Sequence, residues 1–306
     1  MEKLTGPVFL RRGVVEDLFS KNKKKVAVHI SDDRIFIAVA NYKDKIRTIE
    51  YLTQLPLDGQ ELSMFVEKNK LKKLPVYIAL GGKQIISRVI SLPEIPEKEL
   101  EQVLQWEVTK YIPIPPEELL FDFEILGKIT GLNSNQLRLL IIAARKQYVE
   151  NYCDILAQAG LMPQVVDVEG TILKYLYLHL QNKEEGDTVC CIYLDEQRGV
   201  FSFLTNGNIF FIHNVDWDQE ITNRLVAEYQ RVNSYLHRQL QMISSGNIYL
   251  FGPRAGADTA NLLKAELGIN VINVDLKNES LDLLQVGTEI NSSYTFALGL
   301  LLREVE

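Results

Sequence analysis

The chain has 306 residues, enough for about two domains at roughly 150 residues each and for a sizeable buried core. Hydrophobic residues make up 46% and charged residues 24%, a mixture that excludes a disordered chain, a collagen-like chain and a coiled-coil rod. The net charge of −7 argues against coating nucleic acid through the net field.

No run of the chain reaches 18 consecutive apolar residues, so no transmembrane helix and no direct membrane insertion are expected. The first 20 residues carry acids and lack a long apolar core, unlike a secretory signal. The basic cluster Lys21, Lys23, Lys24 and Lys25 reads as a solvated lead-in to the first strand.

Residues 25–40 read as strand, tight turn, strand, with Ser31, Asp32 and Asp33 as the turn. A third strand follows over 46–52. Within 58–70, Leu62, Phe65 and Val66 recur at helical spacing. Residues 76–80 are an apolar strand, Gly81 and Gly82 a turn, and 85–92 a further strand.

The spacing then predicts a helix over 97–111 with an apolar stripe of Leu100, Val103, Leu104, Val108 and Tyr111. Pro113, Pro115 and Pro116 stop it, because proline removes donors and restricts the residue before it. Strands over 119–126 and 137–144 lead to a helix over 146–159, closed by Gly160 at a position suited to a left-handed cap. A short strand over 165–168 feeds a helix over 170–181. The polar stretch 182–188 is the best candidate boundary.

Beyond it the opening repeats. Strands over 189–194, 200–205 and 208–215 form a second meander, with a turn over 195–199 and then Asn206-Gly207, a strong hairpin signal. An amphipathic helix spans about 218–242, followed by a strand over 247–251. Gly252, Pro253, Arg254, Ala255 and Gly256 form a loop before a helix over 257–267. A strand over 269–274 and a helix over 293–304 close the chain.

The meander opening at Val26 and again at Val189 predicts two echoing α/β lobes with a cleft between them, where ligands usually bind. The expected division is an extension over 1–24, a first lobe over 25–185 with a subdomain inserted at about 92–145, and a second lobe over 186–306. Cys153, Cys190 and Cys191 are odd in number and lack framework spacing, so they read as core thiols of a reducing compartment. His29, His179, His213 and His237 stand at no metal-ligand spacing, and no metal site or catalytic group is assigned.

Residues 92–126 carry the most specific pattern: Leu92-Pro93, an acidic helix with Trp106-Glu107, then Lys110, Tyr111, Ile112 and Pro113, then Asp122-Phe123. Weaker echoes lie at 18–28, 165–177, 228–239, 247–271 and 294–304. Together they resemble the PilM family of type IV pilus assembly proteins. That resemblance implies a two-lobed actin-like ATPase fold, built of duplicated ribonuclease H-like domains with an inserted subdomain and related to FtsA. It also implies a cytoplasmic place at the inner membrane and a partner, the cytoplasmic N-terminal tail of a PilN-like membrane protein. Trp106, Tyr111, Ile112 and Pro113 are the residues expected to border that partner's groove. Self-association is a further expectation, since some members of the fold polymerise.

The resemblance also implies ATP and Mg²⁺ between the lobes, near Ser31, Asp32, Glu169, Asp195, Gly252, Arg254 and Gly256. The phosphate turns depart from the family pattern. The first has no glycine, and His29 stands near the expected Asp. In the second, Tyr193 replaces the Asp and Asp195 the Gly. The adenosine-side loop has Pro253 in place of a second glycine. Glycine lets backbone N–H groups approach a phosphate, and clustered carboxylates repel one unless a metal intervenes. The expectation is therefore a non-catalytic scaffold. The rival readings are a genuine Mg-ATP-dependent ATPase and a cytoplasmic domain of the GspL type from a type II secretion system. Because GspL-type domains usually continue into a transmembrane helix, its absence here counts against that rival.

Overall fold

The computed structural model describes residues 8–9, 24–31, 33–43, 46–130, 135–181, 183, 188–217, 221–240, 246–277, 283–285 and 290–303. Asp32, most of the boundary stretch 182–188 and nearly all of the extension 1–24 lie outside the described residues. A short strand β1 (Val8–Phe9) precedes the first meander, β2 (Lys24–Ile30), β3 (Arg34–Lys43) and β4 (Ile46–Pro56). The alternation read from the sequence produces this meander, with β2 antiparallel to β3 and β3 to β4.

Helix α1 (Gly59–Lys68) begins at Asp58, whose side chain accepts from the backbone N–H of Gln60 and Glu61. It leads to β5 (Pro75–Leu80), which lies parallel to β2. Next come β6 (Ile85–Pro93), α2 (Glu97–Glu107), β7 (Leu119–Thr130) and β8 (Asn135–Arg145). These three strands form their own sheet in the order β6-β8-β7. Helix α2 passes into a 3-10 turn over Val108–Lys110, so the stretch expected as one helix to residue 111 changes its winding before the prolines.

Helix α3 (Lys146–Gln158) and β9 (Met162–Val168) return the chain to the first sheet. That sheet has the order β1-β9-β5-β2-β3-β4-β15, where β15 is Leu283–Gln285. Two of its strands have no counterpart in the sequence reading: β1 runs parallel to β9, and β15 parallel to β4.

After α4 (Glu169–Leu178), the second meander β10 (Thr188–Leu194), β11 (Arg198–Thr205) and β12 (Asn208–Asp216) forms, with Asn206 and Gly207 at positive φ in its hairpin turn. Helix α5 (Ile221–Leu240), β13 (Asn247–Phe251), α6 (Ala257–Leu267) and β14 (Asn270–Asn273) complete a second sheet of order β12-β11-β10-β13-β14. The chain then reaches α7 (Thr295–Leu302).

Two helices tie the sheets together by exchange. Helix α4 leaves the first sheet and packs on β10, β11 and β12, while α7, from the far end of the chain, packs on β2, β3 and β5. They also pack on each other. One continuous apolar core therefore runs from Val26 and Ile78 through Ile172, Leu176, Phe296 and Leu300 to Cys191 and Tyr249. All three cysteines are buried in the cores. The three-stranded sheet has a core of its own, including Leu100, Leu104, Ile112 and Ile141.

The basic cluster is not a solvated lead-in where it is described. Lys24 and Lys25 belong to β2. Lys24 pairs with Glu50 at 2.6 Å. Lys25 is buried, with Nζ 3.9 Å from the Tyr77 ring centroid and donating to the Arg303 carbonyl at 3.0 Å. Its ammonium finds an aromatic face and a carbonyl in place of water.

Candidate functional site

The two meanders bring their first turns to the same region. Ser31 N–H donates to the Arg34 carbonyl at 2.9 Å, and Asp195 N–H donates to the Arg198 carbonyl at 3.1 Å, so the turns close alike. His29 and Tyr193, each two residues before its turn, meet on one ring. The Phe296 centroid lies 4.8 Å from that of His29 and 4.3 Å from that of Tyr193. The duplication read from the sequence is thus repeated in the geometry around α7.

At the centre is Glu169, the first residue of α4, with only 1% of its side chain exposed. His29 Nε2, at the end of β2, donates to Glu169 Oε1 at 2.7 Å. Arg198 Nη2, at the start of β11, stands 2.6 Å from the same oxygen as an ion contact. Arg198 Nε also donates to Asp195 at 3.3 Å, and the Arg198 side chain is only 8% exposed. Burial alone would raise the Glu169 carboxyl, but the Arg198 guanidinium and the His29 hydrogen bond outweigh it and hold it below the usual range. Burial likewise disfavours the Arg198 charge, and Glu169 and Asp195 more than restore it. Glycine makes the approach possible: a Cβ on Gly81, just after β5, would lie 1.9 Å from Glu169 Oε2.

The other expected nucleotide residues are engaged locally. The Asp195 carboxylate accepts from the N–H of Gln197 and Arg198 at 2.8 and 2.9 Å, capping its own turn. Gly252 has φ +100°, and a Cβ there would lie 2.4 Å from the Leu194 carbonyl, so this glycine serves contact between β13 and β10. Arg254 is half exposed and pairs with Glu196 at 3.0 Å. Gly256 caps α6. Ser31 closes the first turn, and Asp32 lies outside the described residues.

The fold family implies a metal-bound nucleotide here, and the residues present do not fit one. A metal needs a free carboxylate or water beside the phosphates. Glu169 Oε1 instead carries both a guanidinium and an imidazole, so its charge is met by Arg198 although Oε2 has no hydrogen-bond partner among the described residues, and Asp195 is spent on its turn and on Arg198. Among the described residues no group of three or more His, Cys, Asp or Glu stands together for a metal. The space beside Glu169, lined by Leu80, Gly81, Ile85, Ile212 and Asn214, leaves no room for even a water-sized group.

The expected partner residues divide. Trp106 is 73% exposed and Tyr111 43%, both on the outer side of α2 and its 3-10 turn, and Pro113 is exposed beside them. Tyr111 therefore leaves the apolar stripe to which its spacing assigned it. Ile112 is a correction: it is buried in the core of the three-stranded sheet and presents no surface. Glu107 pairs with Lys110 at 2.6 Å on the surface.

Two residues of the central cluster, His29 and Arg198, were not among the expected site residues. A signal for Arg198 existed: it is a charge opening an otherwise apolar strand, and it sits directly after a turn that echoes the first one.

Two sheets linked by exchanged helices around paired hairpin turns define a protein of actin-like ATPase fold. Solved structures agree on that fold. A PilM–PilN type IV pilus biogenesis complex matches at TM-score 0.71 and 21% identity, over 92% of this chain and 98% of that one. The cytoplasmic domain of EpsL, an inner membrane component of the type II secretion system of Vibrio cholerae, matches at TM-score 0.53 and 10% identity, over 92% and 96%. A Bacteroides thetaiotaomicron protein with an actin-like ATPase fold matches at 0.51 and 14%, over 84% and 93%. The profile of the family described as type IV pilus assembly protein PilM matches residues 43–234, and the chain belongs to that family. Membership of that family places its role in type IV pilus assembly. Among the described residues no helix is long and apolar enough to cross a membrane.

Proposed function

We propose that the chain is a scaffold that receives the cytoplasmic N-terminal tail of a PilN-like inner-membrane protein and turns over no nucleotide. In this reading it lies on the cytoplasmic side, peripheral to the inner membrane through that partner. The two sheets act as two lobes of one frame, with β15 and α7 returning to the first, and the subdomain inserted at about 92–145 helps to shape the partner groove. The observation that carries the reading is the exposed pair Trp106 and Tyr111 on a surface otherwise well packed beneath. Large aromatics are costly to leave in water and are typical anchors of peptide interfaces. Helix α2 also presents Glu99, Glu101 and Glu107, which suits a basic tail. The likeness to the PilM–PilN complex supports the same partner class.

The test uses a synthetic peptide of the PilN-like protein's N-terminal tail. The chain has two tryptophans, and Trp217 is buried. A Trp217→Phe variant therefore isolates Trp106 fluorescence. Peptide binding is expected to shift that emission to the blue. Trp106→Ala, in the wild-type background, is expected to weaken affinity by roughly 30-fold, as for a central aromatic anchor, and Tyr111→Ala by less. Unchanged emission and unchanged affinity in folded variants would remove α2 from the site.

A further inference from the structure

We infer that Arg198 is a resident cation which holds the two halves of the molecule at one closure, in the place where the fold family uses a metal-bound nucleotide. Glu169 and His29 stand at the ends of β9 and β2, in the first sheet's half. Arg198 and Asp195 belong to the β10–β11 hairpin of the second. The contact between Glu169 and Arg198 is therefore a bridge between halves, made inside the chain.

The bridge is dry. Taking a carboxylate and a guanidinium out of water costs several kcal/mol per ion in general, and the cost is recovered only while both stay together. Opening the halves would leave each charge without its partner until water entered. Ser202 Oγ on β11 donates to the Gly170 carbonyl in the first turn of α4 at 2.6 Å and so fixes, on the second sheet, the helix that carries Glu169. Ser87 Oγ on β6 donates to the Ile212 carbonyl on β12 at 2.5 Å. The Ser87 bond joins the three-stranded sheet to the second sheet.

A ligand shifts a conformational equilibrium only by its difference in affinity between the two states. The charge of Glu169 is already met at Oε1 by Arg198, and a Mg²⁺ reaching the remaining oxygen would stand beside that guanidinium, so Mg-ATP has little such difference to offer. Closure in this chain is thereby uncoupled from nucleotide, while the exchanged helices keep the rest of the fold intact.

The experiment compares thermal midpoints of the full chain as wild type, Arg198→Met, Glu169→Gln and the double variant, each with and without millimolar Mg-ATP. Each single variant is expected to lower the midpoint on the order of 10 °C, because one buried charge or donor loses its partner. The double variant is expected to recover at least half of that loss, since the fully buried charge pair is gone and Asp195, partly exposed, keeps its two backbone N–H donors. Wild type is expected to move by less than about 1 °C with Mg-ATP. Single variants with wild-type midpoints would overturn the bridge. A rise of several degrees with Mg-ATP in wild type would overturn the substitution for nucleotide. If a single variant fails to fold, the double variant and the wild-type arm still decide. No partner peptide enters the experiment, so its outcome is independent of the tail-binding reading.

Discussion

The two first turns of the meanders, 31–34 and 195–198, are built alike and end in the same residue type, yet they put it to opposite use. Each closes with an N–H to carbonyl bond over three residues and opens its second strand with arginine. The Arg34 side chain is 53% exposed and lies 3.6 Å from its neighbour Asp33. Arg198 is buried against Glu169. Part of the difference is local, since Asp195 holds Arg198 Nε at 3.3 Å where Ser31 precedes Arg34. The other part is a carboxylate delivered from elsewhere: α4 starts at Glu169 and points it at the second turn, while Gly81 clears the backbone from its path. An arginine next to water is worth little in such a turn, and the same arginine facing a buried carboxylate becomes a tie between two sheets.

The sharpest way to break this comparison is to truncate both arginines. Arg198→Ala is expected to destabilise the chain by about 3–5 kcal/mol, the range for removing one partner of a buried pair, with a matching fall in the denaturant midpoint. Arg34→Ala is expected to change stability by no more than about 0.5 kcal/mol, as for an exposed residue without special contacts. Equal effects from the two would show that position in the turn, and not burial, sets the energy.

A smaller effect sharpens the same point through pH. Glu169 is held below its ordinary value of 4.5 in the folded chain. A depressed carboxylate adds stability that is complete above its unfolded value and is lost as pH falls through its folded value. Wild type is therefore expected to lose more stability than Glu169→Gln on acidification below about pH 4.5. Parallel acid limbs for the two proteins would separate the carboxylate charge from the stability of the bridge.

Much of the fold was legible in the sequence because periodicity and punctuation agree. Alternation over 25–40 and 189–205 and the Asn206-Gly207 hairpin signal marked the two meanders. The stripe of Leu100, Leu104 and Val108 located α2, and all three are fully buried. Strands β1 and β15 were not legible, since two or three residues carry no period and exist only through parallel pairing with β9 and β4. The extent of α2 was misread at its end, where Tyr111 keeps helical spacing but the backbone has already tightened.

The candidate site was legible only in part. Glu169, Asp195 and Gly252 were named through the family resemblance, and the structure gathers Glu169 and Asp195 around Arg198. Arg198 escaped notice because its buried partner Glu169 comes from a distant helix, and a charge opening a strand after a turn is shared with the exposed Arg34. His29 was read as a substitution for an aspartate, and its real partner lies 140 residues away in the chain. Ile112 was grouped with exposed neighbours because sequence proximity does not say which side of a turn faces the core.

The central claim is that closure is supplied by the chain's own arginine and that the partner surface on α2 works without nucleotide. It is tested most directly by titrating the PilN-like tail peptide into wild-type protein with and without millimolar Mg-ATP. The account predicts the same dissociation constant in both conditions. An affinity that changes several-fold when Mg-ATP is present would contradict it.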